Sequence, residues 1–407
     1  MEGKVVFLPF VVPGEEVECA LVKEKKNWAE ARLLKVLQPS SHRRRPVCRY
    51  FQSCGGCHYQ HIIYNLQLQY KAAIFKSIMT RHGKVPESVV APIEALGKEF
   101  GWRARARLSA SDSGGEGFGF FQAGSHRISM ISSCPVVDEE LEAMLPLPVD
   151  LVRQAIRLGI GSCTLETGLN GAKRIVFHVN SITKRIKKLL SKFSVTCDIS
   201  VSLRDKKGCI SSLDILQPLC VYRGELAPEG LYVPPGSFFQ ANLLGNGELI
   251  ARVVEYCRIA GGNKIWEFFS GCGNFSIPLA VSGFRVTAIE SDRCATGEAL
   301  VNRERNSAWI SGLHFVNADA DSFIRAQPRT EWPDTIVLDP PRTGAAQLCM
   351  AIAENPVSTV IYVSCDPMTL ARDIRILSDA GLQVIKSVPI DMFPQTGHIE
   401  SVTLLQA

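Results

Sequence analysis

Four apolar segments in the last third of the chain each end at a polar residue, a glycine turn or a proline, and this repeat constrains the fold most. The segments are 264–269, 284–290, 336–339 and 359–364, and helical spacing follows the last of them at 368–377. Strands that alternate with helices predict a mostly parallel, doubly wound sheet. Ligands of such sheets bind outside the carboxyl ends of the strands, so the strand-ending residues are candidates for a functional site.

The first of these strands runs into a glycine turn, 270–274, and then into an apolar helix. Strand, glycine turn and helix together are typical of a nucleotide-type site, although a tight turn without a ligand would look the same. The next strand ends in Glu290, a carboxylate positioned to accept hydrogen bonds from ribose hydroxyls. The turn lacks the third glycine of a dinucleotide fingerprint, which disfavours NAD. An adenosine ligand fits these features better.

Two further strands end in reactive groups. Asp339 is followed by two prolines that stiffen its loop, and Cys365 lies between an apolar strand and Pro367. Most cysteines fill a core. A thiol at the carboxyl end of a strand, near a strand-end acid, can instead meet a substrate.

The order of these motifs resembles one family. The glycine turn, Glu290, the acid Asp319, the run Asp339-Pro-Pro-Arg-Thr-Gly344 and Cys365 are joined by Phe238-Phe-Gln-Ala-Asn242 and by His398-Ile-Glu400 near the end. The chain resembles the S-adenosylmethionine-dependent RNA uracil-5-methyltransferases, in particular their iron-sulfur-containing 23S ribosomal RNA type.

The resemblance implies roles for individual residues. Cys365 would be the nucleophile and Glu400 the base, and the remaining residues would bind the methyl donor and line its pocket: Gln240, Phe269, Gly271, Gly273, Glu290, Asp319 and Asp339. The chemistry needs such residue types because C5 of uracil is a poor nucleophile until a thiolate adds at C6. A base must then remove the C5 proton so that the thiol can leave. Taken alone, Glu400 could also be a solvated carboxylate on a terminal strand.

Three positions depart from the family pattern. Asp366 stands where asparagine is usual, and a carboxylate beside a nucleophile disfavours its thiolate unless that carboxylate is paired or points away. Glu267 replaces the usual aspartate before the glycine turn. The stretch 307–312, which follows Asn302 and Asn306, is longer than expected and predicts a looser fit there.

Four cysteines form a second set. Cys48, Cys54 and Cys57 are clustered around two glycines, and Cys134 precedes a proline downstream. The resemblance implies a [4Fe-4S] cluster on these thiols, and structural zinc is the alternative because the spacing alone cannot choose. The chain has 14 cysteines but shows no signal peptide and no apolar run that could span a bilayer. We therefore expect a reducing cytoplasm, with thiols as ligands, nucleophile and core rather than disulfides.

At 407 residues the chain exceeds one ordinary domain. The fold class predicted is α/β, in three parts: residues 1–39, a small β unit resembling an incomplete OB- or TRAM-like RNA-binding barrel; residues 40–233, a mixed α+β central domain carrying the cluster; and residues 234–407, a Rossmann-like methyltransferase domain. The central part groups basic residues at 42–45, at Arg103, Arg105 and Arg107, and at 184–188. Such runs are usually solvated, but three clusters in one part favour phosphate contacts with RNA. Phe238 and Phe239 are candidates for base stacking, although packing is the more common role.

Three functions stay open at this point. The leading one is methyl transfer to C5 of a uridine in RNA, with 23S ribosomal RNA ahead of transfer RNA. The second is an iron-sulfur RNA-binding protein whose methyltransferase site has decayed, and the third is methylation of an exocyclic nitrogen, which needs neither Cys365 nor Glu400. We infer no membrane and no obligate protein partner.

Overall fold

The computed structural model describes residues 4–111, 117–197, 199–206, 208, 210–213 and 218–407. Near the start of the chain lies a three-stranded sheet, formed by β1 (Val5–Phe7), β2 (Glu16–Glu24) and β3 (Trp28–Gln38). β2 and β3 form an antiparallel pair, and β1 lies parallel to β3 at the other edge. The predicted β unit is therefore present as strands, and in the described part of the chain they form an open sheet.

The next elements are the helix α1 (Tyr64–Arg81) and the two-residue strand β4 (Glu94–Ala95). A seven-stranded sheet follows, made of β5 (Arg105–Ala110), β6 (Phe118–Phe121), β7 (Ile128–Met130), β8 (Ser162–Thr167), β9 (Lys173–Val179), β10 (Ser200–Asp205) and β11 (Ile210–Ser212). Its strand order is β11-β10-β9-β8-β5-β6-β7.

The two faces of this sheet differ. Leu165, Phe177 and Val201 pack into a core with the helices α2 (Glu139–Glu142), α3 (Val149–Arg157) and α4 (Lys184–Cys197). The strand register places Arg105, Glu166 and Arg174 side by side on the opposite face, where Glu166 pairs with both arginines. The alternation of apolar and polar residues along each strand produces this difference.

A hairpin of β12 (Leu219–Gly224) and β13 (Ala227–Val233) leads into an eight-stranded sheet. Its strands are β14 (Lys264–Phe268), β15 (Arg285–Glu290), β16 (Leu313–Asn317), β17 (Thr335–Leu338), β18 (Thr359–Ser364), β19 (Gln383–Asp391) and β20 (Glu400–Gln406), with β4 at the edge. The helices are α5 (Leu243–Ala260), α6 (Ser276–Val281), α7 (Arg293–Arg305), α8 (Ala320–Ala326), α9 (Ala346–Glu354) and α10 (Pro367–Asp379).

The order of this sheet is β16-β15-β14-β17-β18-β20-β19-β4. The strands β14 to β18 are parallel, and β20 runs antiparallel to both of its neighbours, β18 and β19. Helices cover both faces over two separate apolar cores. The α/β doubly wound fold is as the sequence predicts.

Elements from the predicted central part also build the catalytic sheet. Phe75 and Met79 of α1 are fully buried in one core with Tyr362 and Leu370, and β4 extends the sheet edge beside β19. The division of the chain at residues 39 and 233 stays a prediction. No helix in the described ranges is both long and apolar enough to cross a membrane.

Candidate active site

Strand pairing brings the predicted nucleophile and base together. Ser364, the last residue of β18, pairs with Ser401 of β20, so Cys365 and Glu400 directly adjoin this pair at the carboxyl end of β18. The charge of Glu400 acts on the Cys365 thiol. Glu400 is 1% exposed, and Cys365 is partly exposed. The two side chains therefore share one site at the carboxyl end of β18.

Charge and burial act on these two groups in the same direction. Burial raises the pKa of Cys365 to about 11, and the charges of Glu400 and Asp339 contribute to that rise. Burial also raises the pKa of Glu400 well above its usual range and that of Asp339 to about 7. Because an ionised Glu400 disfavours the Cys365 thiolate, a protonated Glu400 favours it.

Arg342 is a site residue that the sequence reasoning missed, although it lies within the quoted run Asp339–Gly344. Its positive charge lowers the pKa of both Cys365 and Glu400, and its Nη2 lies 3.4 Å from His398 Nε2. The buried carboxylate of Asp373 holds the loop after Arg342 by accepting the Ala345 amide at 2.7 Å. Arg342 is therefore the cation that opposes the carboxylates of this site.

Asp366 is paired within its own helix. Its carboxylate is the N-cap of α10 and accepts the amides of Met368 at 2.9 Å and Thr369 at 3.1 Å. An aspartate at this position satisfies free amides of the first helical turn. Because Asp366 is paired at the helix start, we do not expect it to disfavour the thiolate of Cys365.

The glycine turn after β14 has a strained backbone. Phe269, Gly271 and Gly273 adopt φ angles of 65°, 55° and 91°. A side chain at Gly273 would approach Ile277 Cγ1 to 3.0 Å, so both backbone and space require glycine there. Glu290 fixes the turn, since one carboxylate oxygen accepts the Gly271 amide at 2.9 Å. Strain of this kind is often stored at binding sites.

Two buried polar side chains lie close to this turn. Glu267 is fully buried, burial raises its pKa to about 8, and the Ser276 hydroxyl donates to it. Asn302 is also fully buried and donates to the Cys272 carbonyl at 3.0 Å and the Tyr232 carbonyl at 2.8 Å. The amide of Asn302 thus joins the turn to β13, and the looser fit expected at 307–312 stays a prediction.

Most of the predicted cofactor residues lie together. Gln240, Phe269, Gly271 and Asp339 line a narrow cavity of about 50 Å³, with Gly273 and Glu290 on the adjoining turn. Asp319 is different, because its exposed carboxylate caps α8 by accepting the Ser322 amide at 3.0 Å. The structure thus gives Asp319 a capping role at the same edge of the sheet.

The two phenylalanines before Gln240 have different surroundings. Phe239 is 5% exposed and lies under the guanidinium of Arg105, 5.4 Å from it, so it packs as expected. Phe238 is 73% exposed and borders the narrow cavity. Only Phe238 presents a free aromatic face among these two.

The four predicted metal ligands line a second cavity. Cys48, Cys54, Cys57 and Cys134 surround a volume of about 740 Å³ together with the half-buried Arg103. Burial raises the pKa of Cys57 to about 12, and the charges of the other three thiols add to that rise. The Gly56 amide donates to Cys54 Sγ at 3.4 Å. The four thiols therefore converge on one space.

These thiols do not form a ready site for a single ion. Within the described residues, no group of three or more histidine, cysteine, aspartate or glutamate side chains is arranged to hold a metal ion. Four thiolates on one zinc ion would all lie about 2.3 Å from its centre. The four thiols line one cavity without that arrangement.

Comparisons with known proteins agree over the whole chain. A family model described as tRNA (Uracil-5-)-methyltransferase matches residues 178–407. A protein of Shewanella sp. (strain MR-7), named 23S rRNA (uracil(1939)-C(5))-methyltransferase RlmD, is 32% identical over 412 residues, covering 100% of this chain and 91% of the relative. The protein of that name from Photorhabdus laumondii is 32% identical over 408 residues, covering 99% and 92%.

A solved structure shares the fold. The tRNA (uracil-54, C5)-methyltransferase of Pyrococcus abyssi, in complex with S-adenosyl-L-homocysteine, superposes with a TM-score of 0.74 and 25% sequence identity. The match covers 100% of this chain and 96% of that protein. The similarity therefore includes the parts before the catalytic sheet.

The capping role of Asp366 gives a test. Asp366→Ala should destabilise the protein by about 1 kcal/mol because two helix amides lose their acceptor, yet leave the thiol pKa of Cys365 unchanged. Asp366→Asn is the matched control, since asparagine also caps helices. The pH dependence of Cys365 alkylation by iodoacetamide, followed by peptide mass spectrometry, measures the pKa. A marked fall of that pKa in both variants would show that the Asp366 charge acts on the thiol.

Proposed function

This chain belongs to the tRNA (uracil-5-)-methyltransferase family, and we propose that the RNA it methylates is 23S ribosomal RNA. It is an S-adenosylmethionine-dependent RNA uracil-5-methyltransferase. Relatives named 23S rRNA (uracil(1939)-C(5))-methyltransferase are 32% identical to this chain over nearly its whole length. This identity is the observation that supports ribosomal RNA as the substrate. A transfer RNA substrate is the second candidate, favoured by the likeness to the Pyrococcus abyssi enzyme.

The proposed mechanism uses Cys365 and Glu400 in turn. The Cys365 thiolate adds to C6 of the uracil ring, and the electron pair of the C5–C6 double bond moves toward O4. Bound S-adenosylmethionine supplies an electrophilic methyl group on a sulfonium. After C5 has taken the methyl, Glu400 removes the C5 proton, the C5–C6 double bond forms again, and the Cys365 thiolate leaves.

The geometry supports these roles in two ways. Glu400 and Cys365 both adjoin the Ser364–Ser401 pair of neighbouring strands, so both can reach one ring. Burial keeps Glu400 a strong base once it ionises, and Arg342 supplies a positive charge near the developing enolate. Methylation of an exocyclic nitrogen would use neither residue. The replacement of the usual asparagine by Asp366 was an argument for a decayed site. Because the Asp366 carboxylate caps α10, that argument no longer holds.

Exposed cations of the central part are the proposed RNA contacts. Arg107 and the helix residues 184, 185, 187 and 188 are exposed, as phosphate contacts require. In the first basic cluster, Arg43 binds Glu15 and Arg44 binds Glu99, so these two have structural partners. A target uridine must leave its helix to reach Cys365, and Phe238 is placed to stack on a base at the cavity mouth. We also propose a cytoplasmic location.

We further propose that Cys48, Cys54, Cys57 and Cys134 hold a [4Fe-4S] cluster. Each of the four irons of such a cluster takes one thiolate, and the four thiols line one cavity. The Gly56 amide and the charge of Arg103 would stabilise sulfur that carries negative charge. With four thiolates bound, the irons have no open position, so its role would be to hold this part of the fold.

Replacement of the base tests the mechanism. Glu400→Gln should lower turnover by about 10²- to 10⁴-fold, because the C5 proton stays in place, and should trap a methylated RNA adduct that survives a denaturing gel. The assay uses labelled S-adenosylmethionine and large-subunit ribosomal RNA transcribed in vitro, with unmodified transfer RNA in parallel. Cys365→Ala is the control that should give neither adduct nor transfer. Turnover of Glu400→Gln at the wild-type rate would remove Glu400 from the mechanism.

The raised pKa of Asp339 predicts pH-dependent donor binding. Because S-adenosylmethionine is cationic, it favours the ionised carboxylate, so binding must release a proton below pH 7. Its affinity should fall by up to about tenfold for each pH unit below about 7 and level off above it. Calorimetric Kd values between pH 6 and 8 measure this, and Asp339→Asn should bind weakly at every pH. A flat profile in the wild-type protein would exclude Asp339 from the donor site.

The cysteine assignment is tested by metal analysis. Protein purified without oxygen should contain about four iron atoms and four sulfides per chain and absorb visible light. Cys57→Ser should lose them, whereas Cys294→Ser, which changes an exposed cysteine, should keep them. Stoichiometric zinc without sulfide would instead support a structural zinc site.

A further inference from the structure

We propose that the cysteine loop, residues 48–59, is a positioning element for Glu400, which it reaches through Gln395 and His58. The base loop, residues 392–399, joins β19 to β20 and ends directly before Glu400. This inference rests on the proposed role of Glu400 as the base. It goes beyond that role because it gives the cysteine loop an effect on one chemical step.

Gln395 is where the two loops meet. Its backbone carbonyl accepts the amides of His58 at 2.8 Å and Tyr59 at 3.0 Å, and these residues directly follow Cys57. Gln395 is fully buried and has a φ of 70°, a backbone conformation that residues other than glycine rarely adopt. Such a conformation persists only where its surroundings enforce it. The cysteine loop supplies two of the hydrogen bonds that do so.

The side chain of Gln395 completes this junction. Its Oε1 accepts Gln67 Nε2 at 3.0 Å and Arg44 Nη2 at 3.1 Å, while its backbone amide donates to Gln67 Oε1 at 3.1 Å. Its Nε2 faces Glu99 at 3.4 Å. A buried polar network in which every group is satisfied is rigid, and loss of one partner leaves costly unpaired groups.

His58 makes a second connection, closer to the reacting groups. Its Nδ1 accepts the Gly397 amide at 3.4 Å, and its ring meets the ring of His398 edge to face at 6.4 Å. His398 in turn lies 3.4 Å from Arg342, whose charge acts on both Cys365 and Glu400. The second half of the base loop is thus held between the cysteine loop and the active site.

The first half of the base loop has other anchors. Lys71 binds Asp391 at 2.6 Å and the Phe393 carbonyl at 2.9 Å, and Asn242 donates to the Met392 carbonyl at 3.0 Å. These contacts come from α1 and from the start of α5 and do not involve the cysteine loop. Loosening of the cysteine loop should therefore weaken the hold on residues 395–398, where Gln67 of α1 still contacts Gln395, while the start of the base loop stays in place.

This separation predicts which step is affected. Addition of Cys365 and methyl transfer do not need Glu400 as a base, whereas release of the product does. A mispositioned Glu400 should slow release alone, so the methylated adduct should accumulate during turnover. A general loss of structure would instead lower donor binding and adduct formation together.

The experiment uses the full-length, cluster-loaded protein with in vitro transcribed large-subunit ribosomal RNA. Gln395→Gly removes the side-chain contacts and permits the positive φ, His58→Ala removes the ring contacts, and His82→Ala, at an exposed position after α1, is the matched control. We expect several-fold more denaturant-stable adduct and correspondingly slower turnover in the first two variants, with unchanged S-adenosylmethionine Kd. Amides 395–400 should also exchange hydrogen faster, while those of the glycine turn should not.

Two results would overturn the inference. One is a wild-type adduct fraction in His58→Ala, and the other is a parallel loss of donor binding and adduct formation. If Gln395→Gly does not fold, Gln395→Asn tests the same side-chain contacts, because asparagine tolerates a positive φ. Glu400→Gln is run alongside. Absence of adduct in Glu400→Gln contradicts the base role itself, whereas adduct in Glu400→Gln but not in His58→Ala contradicts the positioning role alone.

Discussion

The site depends on the pairing of β20 between β18 and β19. Side chains alternate along a strand, so the register that pairs Ser364 with Ser401 also decides which face carries Glu400. A shift by one residue would turn its carboxylate to the other face and remove it from Cys365. Buried neighbours on both sides of β20 fix that register. The placement of the two proposed reacting groups, 35 positions apart in the chain, thus follows from ordinary strand packing.

The same burial gives the site its electrostatic character. Glu267, Asp339 and Glu400 all have raised pKa values, chiefly because each is removed from water, and Arg342 is the cation that lowers that of Glu400. A cationic ligand would stabilise the ionised form of these carboxyl groups, whereas an anionic ligand would destabilise it. A sulfonium donor matches this field, and the target base is uncharged. Substrate charge and site charge are therefore consistent.

The sequence predicted much of this arrangement, and the failures have physical causes. Strand ends and the glycine turn follow from local patterns, so the fold and most of the donor cavity were predictable. Asp366 before Pro367 is the ordinary start of a helix, and its capping role could have been predicted from that pair. Asp319, with Ser322 three residues on, caps a helix in the same way. The junction at Gln395 could not be predicted, because its partners are more than 290 positions away and only the fold brings them together.

The position of α1 has a consequence for how such a protein can change over evolution. Phe75 and Met79 fill a core whose other members come from the catalytic sheet, and β4 completes an edge of that sheet. A cut between the central and catalytic parts would leave apolar surface on both pieces. The catalytic half therefore cannot be exchanged as an independent module. Any ancestor or engineered chimera that swaps its RNA specificity must keep this helix with the enzyme it supports, and vary the seven-stranded sheet instead.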